Sequence, residues 1–471
     1  MLSVAGIVVS LILLVALSFR GLSVLLIAPV AGLMAAALSD APLLASYTQV
    51  FMRALGSFAA LYFPLFLLGA LFGRLMEQSG AAKALALALT AGFGGGRHAI
   101  VTVVLTCALL TYGGVSLFVV AFAVFPIAEA LFLVADKPKR LIPAAIALGA
   151  FTFTMSALPG SPSIQNAIPM PYFGTTLFAA PGLGLLAAAI MLGGGLAWLL
   201  WRQSGAQGFA DGIGILNAPE PVAPDGAPAS HEAGHVPLPS VYVAAVPIGV
   251  LLVLNYVMST WWLPHWDATY LAETLYGEVN MATVKGLWSL LMALLVAIAL
   301  LFVMARRTLN DAPAIFNAGA LSSLAPIFNT ASLVGYGAVI ASLSGFEAIR
   351  DALLSLGTWH PLVSLSVSMN VLAGITGSAS GGMSIALQTL GENYAQMAIA
   401  AGIAPDLLHR VTTLATGGLD ALPHNGAVIT LLTVCGLSHR QSYMDIGVVA
   451  VLIPMLALVA VVVMGSLWGS F

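Results

Sequence analysis

The sequence predicts an all-α polytopic membrane protein made of two inverted repeats, each with a re-entrant hairpin and a broken helix: about ten full crossings plus two hairpins. Three observations predict it. The 471 residues are 60% hydrophobic and only 7% charged, with mean hydropathy +1.03, whereas soluble domains run near 25% charged. Two apolar stretches are interrupted at their middles by glycine, proline and polar residues. The order of elements in the first half recurs in the second.

Apolar segments long enough to cross, at roughly 20 residues each, occupy 4–19, 22–38 and 55–76. The first lacks the basic region that opens a signal peptide and is expected to be a retained helix. A short amphipathic piece follows at 81–91. Segments 100–110 and 115–134 flank the tip Tyr112-Gly113-Gly114, and the first arm is too short to span, so 100–134 is expected to be a re-entrant hairpin. Residues 141–172 form a helix interrupted by Leu158-Pro159-Gly160-Ser161-Pro162-Ser163, and 177–201 is a full span. Residues 203–239, polar and rich in Pro, Ala and Gly, are expected to be a disordered linker.

The second half repeats this order. Spans at 241–258, 284–304 and 315–343 precede an amphipathic piece at 346–356. A hairpin over 362–394 turns at Thr376-Gly377-Ser378-Ala379-Ser380-Gly381-Gly382, a broken helix occupies 407–437, and 446–467 is the last span. The repeats are therefore 1–202 and 240–471. Ala157-Leu158-Pro159 recurs as Ala421-Leu422-Pro423, and Gly113-Gly114 as Gly381-Gly382, at nearly the same offset. Each half crosses an odd number of times, which inverts the second relative to the first. In this threading eleven of the Lys and Arg residues fall on one side and four on the other. The positive-inside rule then puts the linker in the cytoplasm and both termini outside. Trp261, Trp262 and Trp266 are expected to form an interfacial belt on the outer side.

The sharpest stretch is Arg410 to Leu432, RVTTLATGGLDALPHNGAVITLL. A carboxylate, Asp420, and an imidazole, His424, at bilayer depth are expensive. Gly417, Gly418 and Pro423 free backbone groups that lipid cannot satisfy. A solute site is the expected reason. Burial disfavours a charged carboxylate and imidazole titrates near neutrality, so Asp420 or His424 could carry a coupling proton. The competing reading is that Asp420 caps a helix and His424 only donates a hydrogen bond. Each break also presents a new helix N-terminus, which favours an anion. In the first half Ser161 is expected to cap and Pro162 to open the helix, with Ser163, Gln165 and Asn166 nearby and Gly160 in the break. In the second, Asn425 or His424 stands at the matching place. The hairpin tips offer Gly113, Gly114 and Ser116, and Gly377, Ser378, Ser380 and Gly381. These four elements together are expected to form a pocket for a hydroxylated carboxylate, unless the serines only cap. Glu129, His409 and Arg410 are expected at the interface, Arg410 able to attract an anion from outside.

Other chemistry is excluded. His231-Glu232-Ala233-Gly234-His235 matches H-E-x-x-H but lies among prolines in the linker, where a helical zinc site is not expected. Gly92–Gly96 lacks the strand–helix context of a nucleotide loop. Gly193-Gly194-Gly195 is expected to serve helix packing. Cys107 and Cys435 lie in apolar runs and form no disulfide framework. There is no basic patch for nucleic acid, no cofactor and no metal is expected, and the chain is not expected to be an enzyme.

The stretches TYGGVSLFVVAFAVFPIAEALF, KRLIPAAIALGAFTFTMSALPGSPSIQNAIPMPYFGTT and HRVTTLATGGLDALPHNGAVITLLTVCGLSHRQSYMDI resemble the gluconate:proton symporter (GntP) family of the ion transporter superfamily. The resemblance covers most of the chain outside the linker. It implies a homodimer in the bacterial inner membrane, with a static scaffold and a moving domain that carries hairpins and breaks, an elevator mechanism. It implies import of a small organic anion, a sugar acid such as gluconate or a smaller hydroxy acid, by proton symport. The chain is shorter than gluconate-type members, and its first half is similar to hydroxybutyrate-permease members. Sodium-coupled branches of the superfamily carry Ser-Asn-Thr motifs at the hairpin tips, which are absent here. A sodium-coupled carboxylate transporter is the alternative, a passive channel or an exporter a further one.

Overall fold

The computed structural model describes residues 2–19, 22–92, 98–115, 117–205, 208–209, 238–309, 311–355, 360–376, 378–423 and 425–471. Ser116, Gly377 and His424, and the linker motif at 231–235, lie outside these residues.

The described chain is helical throughout. The first half contains α1 (Leu2–Phe19), α2 (Val24–Leu38), α3 (Leu43–Gln78) and α4 (Ala81–Gly92). The hairpin follows as α5 (Ala99–Tyr112) and α6 (Leu117–Val134). The first broken helix is α7 (Ile142–Ala150), α8 (Phe153–Ser156), α9 (Ile164–Ala167) and α10 (Met170–Phe173), and α11 (Pro181–Ser204) closes the half. The second half is α12 (Tyr242–His265), α13 (Met281–Ala305), α14 (Ala312–Ala341), α15 (Ser344–Ser355), the hairpin α16 (Pro361–Thr376) and α17 (Ala379–Ala400), the broken helix α18 (Pro405–Gly418) and α19 (Gly426–Val434), and α20 (His439–Trp468).

Among the described residues six helices are long and apolar enough to cross a membrane: α3, α11, α12, α13, α14 and α20. α1 and α2 are apolar but shorter; at 1.5 Å per residue the 15 residues of α2 rise about 22 Å, less than a hydrocarbon core of roughly 30 Å. Lipid-side positions remain apolar where they are exposed, as at Leu26, Val253, Leu321 and Val463, which is how a helix reads when its outer solvent is hydrocarbon. Trp261, Trp262 and Trp266 are all exposed at the end of α12, amphipathic rings suited to a membrane–water boundary.

Packing follows the repeated order. α3 packs on α14, and α11 on α20. α2 lies on α14 while α13 lies on α3; α1 meets α15 while α12 meets α4. α6 touches α19 of the other half, and α17 touches α9 and α10. These cross-half contacts occur in pairs with the roles of the halves exchanged. At the end of α11, Arg202 Nε and Trp198 Nε1 donate to the buried Asp445 carboxylate of α20 at 2.8 and 3.0 Å. Lys139 pairs with Glu129 at 2.6 Å, both partly exposed, as an interfacial pair would be.

Three expectations are corrected. Gly381 and Gly382 are not at the tip of the second hairpin. They lie in the first turn of α17, where a Cβ on Gly382 would collide with the Ala373 backbone; the glycine lets the two arms touch. The first broken helix has an extra interruption at Phe151-Thr152, where the Thr152 hydroxyl donates to Leu148 O at 2.6 Å and turns the chain out of the helix. His409 and Arg410 are not interfacial: both are fully buried. Gly195 does serve packing, against Leu148, and Gly194 packs against Ile453, but Gly193 has open space.

Candidate functional site

The first break is closed from within and from the other half. Gly160 holds φ +77°, a left-handed turn that favours glycine, and its N–H donates to Leu177 O at 2.9 Å. The cap of α9 is Ser163, not Ser161: Ser163 Oγ accepts from Asn166 N–H and donates to Met155 O at 2.6 Å. Pro162 accordingly stands before the cap and does not open the helix. Ser161 Oγ and Gln165 Oε1 are buried with no hydrogen-bond partner among the described residues. Asn166 is fully buried and fully used: Nδ2 donates to Ser161 O and Leu177 O, both at 3.0 Å, and Oδ1 faces His409 Nε2 at 3.1 Å and Arg410 Nη1 at 3.5 Å.

α18 of the second half supplies the rest. Arg410 donates through Nη1 to Ser156 O at 3.0 Å and through Nη2 and Nε to Ala179 O at 2.7 and 3.1 Å. Thr413 Oγ1 donates to Ser156 O at 2.8 Å. His409 Nδ1 lies 2.6 Å from Thr175 Oγ1. One face of a polar helix therefore satisfies carbonyls that the irregular first-half backbone cannot satisfy itself, as a lipid-embedded chain requires.

The hairpin tips are tethered differently. At the first, Tyr112 OH donates to Pro159 O at 2.7 Å, Gly114 (φ +85°) lies against Pro162 and Phe72, and Gly113 is packed against Ile248. At the second, Ser378 Oγ caps α17 by accepting from Gly381 N–H at 3.2 Å, with Ser380 Oγ 3.4 Å away; Gly381 itself packs on Leu333. The α17 N-terminus is held by Asp420, whose Oδ1 accepts from Ala379 N–H at 2.7 Å and from Asn425 Nδ2 at 2.9 Å. Asn425 Oδ1 in turn caps α19, accepting from Ala427 and Val428 N–H at 2.6 and 3.2 Å. The α17 N-terminus thus meets the carboxylate directly and the α19 N-terminus reaches it through the Asn425 side chain, a favourable place for a negative charge.

That carboxylate faces a cleft of about 280 Å3, its open mouth included, lined by Leu117, Phe151, Met155, Gly417, Asp420, Ala421, Asn425 and Ala427. It lies between the start of α6, the first break and the second break. A Cβ on Gly417 would come within 3.3 Å of Ser156 Oγ, so the two breaks adjoin directly beside it. Of the expected site residues, the structure brings Asp420 and Asn425 to the cleft. Gly113, Gly114, Gly160, Ser161, Ser163, Gln165, Asn166, Ser378, Ser380 and Gly381 do not line it; they build the turns, caps and tethers around it. The apolar wall of Leu117, Phe151 and Met155 was not foreseen, because apolar residues in an apolar sequence carry no local mark. The Arg410 contacts had one signal, the polar residues His409, Arg410, Thr412 and Thr413 on a segment of bilayer depth.

No family model matches the chain. Over 463 residues it is 42% identical to the uncharacterized transporter YxjC of Bacillus subtilis (strain 168), covering 96% of each chain. Its fold is similar to that of the YdaH transporter of Alcanivorax borkumensis, with TM-score 0.55 and 16% identity over 99% of this chain and 98% of that one. It is also similar to MtrF of Neisseria gonorrhoeae, described as illuminating a class of antimetabolite efflux pumps, with TM-score 0.52 and 13% identity over 99% and 95%. These relatives are transporters, and at such low identities the structural likeness speaks to the fold alone. An all-helical, multi-pass architecture and 42% identity along nearly the whole of both chains lead to one conclusion: this chain belongs to the membrane transporter family that includes YxjC.

Proposed function

We propose that this transporter is a secondary active importer of a small hydroxycarboxylate or sugar acid, driven by proton symport. The observation that carries the reading is Asp420: its Oδ1 accepts from the first N–H of α17 and from the Asn425 side chain that caps α19, and the residue lines a cleft between two broken helices. An ionised Asp420 would repel an anionic solute in that cleft; at ~5 Å and an effective dielectric near 20 the repulsion is about 3 kcal/mol. Protonating Asp420 removes the repulsion and leaves the positive ends of α17 and α19 uncompensated behind the cleft. The solute's carboxylate then replaces the lost charge. Anion and proton bind together or not at all, which is the logic of symport. His424, adjacent to Asn425 in sequence, is a second candidate for the proton. The resemblance to the gluconate:proton symporter family supports the solute class. The hairpins and breaks would move together against the remaining helices, in elevator fashion, within an inner-membrane homodimer.

Uptake of labelled gluconate and 3-hydroxybutyrate into proteoliposomes tests this. An inward proton gradient without sodium should drive accumulation above equilibrium, and a protonophore should collapse it. Accumulation driven by a sodium gradient alone would replace protons with sodium. Equilibration without accumulation would make the protein a channel. Proton-driven loss from preloaded vesicles would make it an exporter, the direction described for the class that MtrF illuminates.

A further inference from the structure

The mechanism above makes no use of Arg410, the largest fully buried side chain among the described residues. A guanidinium stays charged in any protein environment; the carboxylate that acts on it is Asp406, one turn earlier on α18, but no ion pair within 4.0 Å joins them. A charge left unpaired in the interior is expensive unless other groups solvate it. Here the solvating groups are oxygens: Ser156 O, Ala179 O and Asn166 Oδ1. Thr413 Oγ1 adjoins them through Ser156 O.

These oxygens are available because the backbone is broken. The N–H that would reach Ser156 O in a continuous helix belongs to Gly160, and it donates to Leu177 O instead. The N–H that would reach Ala179 O belongs to Leu183, and it donates to Phe471 O. Carbonyls freed at discontinuous helices are the groups with which ion-coupled transporters coordinate sodium. The α11 backbone packs against the guanidinium at Gly184, where a Cβ would stand 3.2 Å from Arg410 Nε.

We propose that the Arg410 guanidinium is a tethered cation, occupying at the junction of the two breaks the oxygen cage that an exchangeable monovalent cation would otherwise need. The junction then needs no sodium or potassium to hold its carbonyls together. Arg410 is a positioning residue on this view: it holds the first break against α18, seven residues before Gly417 at the cleft. The inference rests on the transporter reading only for its bearing on ion coupling.

The test is thermal unfolding of purified wild type, Arg410→Ala, Arg410→Gln and Arg410→Lys, in choline, sodium or potassium chloride at equal ionic strength, with and without millimolar guanidinium. Wild type should have one Tm in all of them. Arg410→Ala should lose stability and regain about 2–4 °C, saturably, with sodium, potassium or guanidinium but not choline. Arg410→Lys, which keeps the charge, should be more stable than Arg410→Gln, which keeps hydrogen-bond donors only; that ordering stands even if the alanine variant does not fold. The proposal is overturned if a folded Arg410→Ala shows no ion response beyond wild type, or if Arg410→Gln equals or exceeds Arg410→Lys. No solute enters these measurements, so they succeed or fail independently of the uptake assay.

Discussion

The two broken helices differ in what they leave unsatisfied. In the first, around Ser156 to Asn166, backbone groups of the turn are taken up by Asn166, Ser163 and three side chains of α18, while Ser161 Oγ and Gln165 Oε1 stay buried without a partner among the described residues. In the second, Asp420 accepts through Oδ1 from the first N–H of α17 and from the Asn425 side chain, and it lines a cleft. Both interruptions contain the same Ala-Leu-Pro, at 157–159 and 421–423. The lesson is that a broken membrane helix is a place where backbone groups need partners. Whether it binds a solute depends on whether the protein has already supplied those partners.

The sharpest way to break this comparison is Asp420→Asn. For one proton per solute, each unit of pH gradient supports about tenfold accumulation. The amide of the variant cannot exchange a proton, so accumulation in proteoliposomes should fall from about tenfold to near unity, with exchange of solute across the membrane persisting. Unchanged proton-driven uptake would remove Asp420 from the mechanism and make the second break as structural as the first. Arg202→Ala serves as a control away from both breaks. It leaves the buried Asp445 with Trp198 as its partner and should cost about 3 kcal/mol of stability, read as a lower Tm, without changing the ratio of uptake at two pH values. An altered ratio would mean that proton coupling extends beyond the cleft.

Asn166→Ala tests the first break itself. It removes the Asn166 partner of Ser161 O and His409 Nε2, and one of the two donors to Leu177 O, and should destabilise by about 2 kcal/mol. The pH dependence of uptake per folded molecule should be that of wild type; a shifted profile would give the first break a share in coupling. The smallest expected effect is Tyr112→Phe, which deletes one neutral hydrogen bond between the first tip and Pro159 at about 1 kcal/mol. If it instead abolished uptake, the first tether would matter as much as the Asp420 tether of the second.

Much of the architecture was legible in the sequence. Hydropathy found the long spans, because each must be apolar over its own length. The interruptions at Pro159 and Pro423 were visible for the converse reason: glycine, proline and polar residues at bilayer depth stand out from an apolar background. Asp420 and Asn425, which line the cleft, stood out on the same ground. Ser161 and Ser163 were not separable, because either spacing permits a cap and only the backbone angles choose between them. Gly381-Gly382 looked like a tip by analogy with Gly113-Gly114, yet the arm of α16 packs so closely that it needs those glycines inside α17.

The sequence by itself determined that the chain is a helical membrane protein with two interrupted helices, one carrying a carboxylate. Those properties depend on transfer of short segments between water and lipid, and short segments contain the information. Only the tertiary structure decided which interruption has its carbonyls satisfied by the other half and which brings a carboxylate to the cleft. The partners of Arg410 are Ser156, Asn166 and Ala179, more than two hundred residues earlier in the chain. Nothing local in either segment specifies that they meet; the packing of the two halves does.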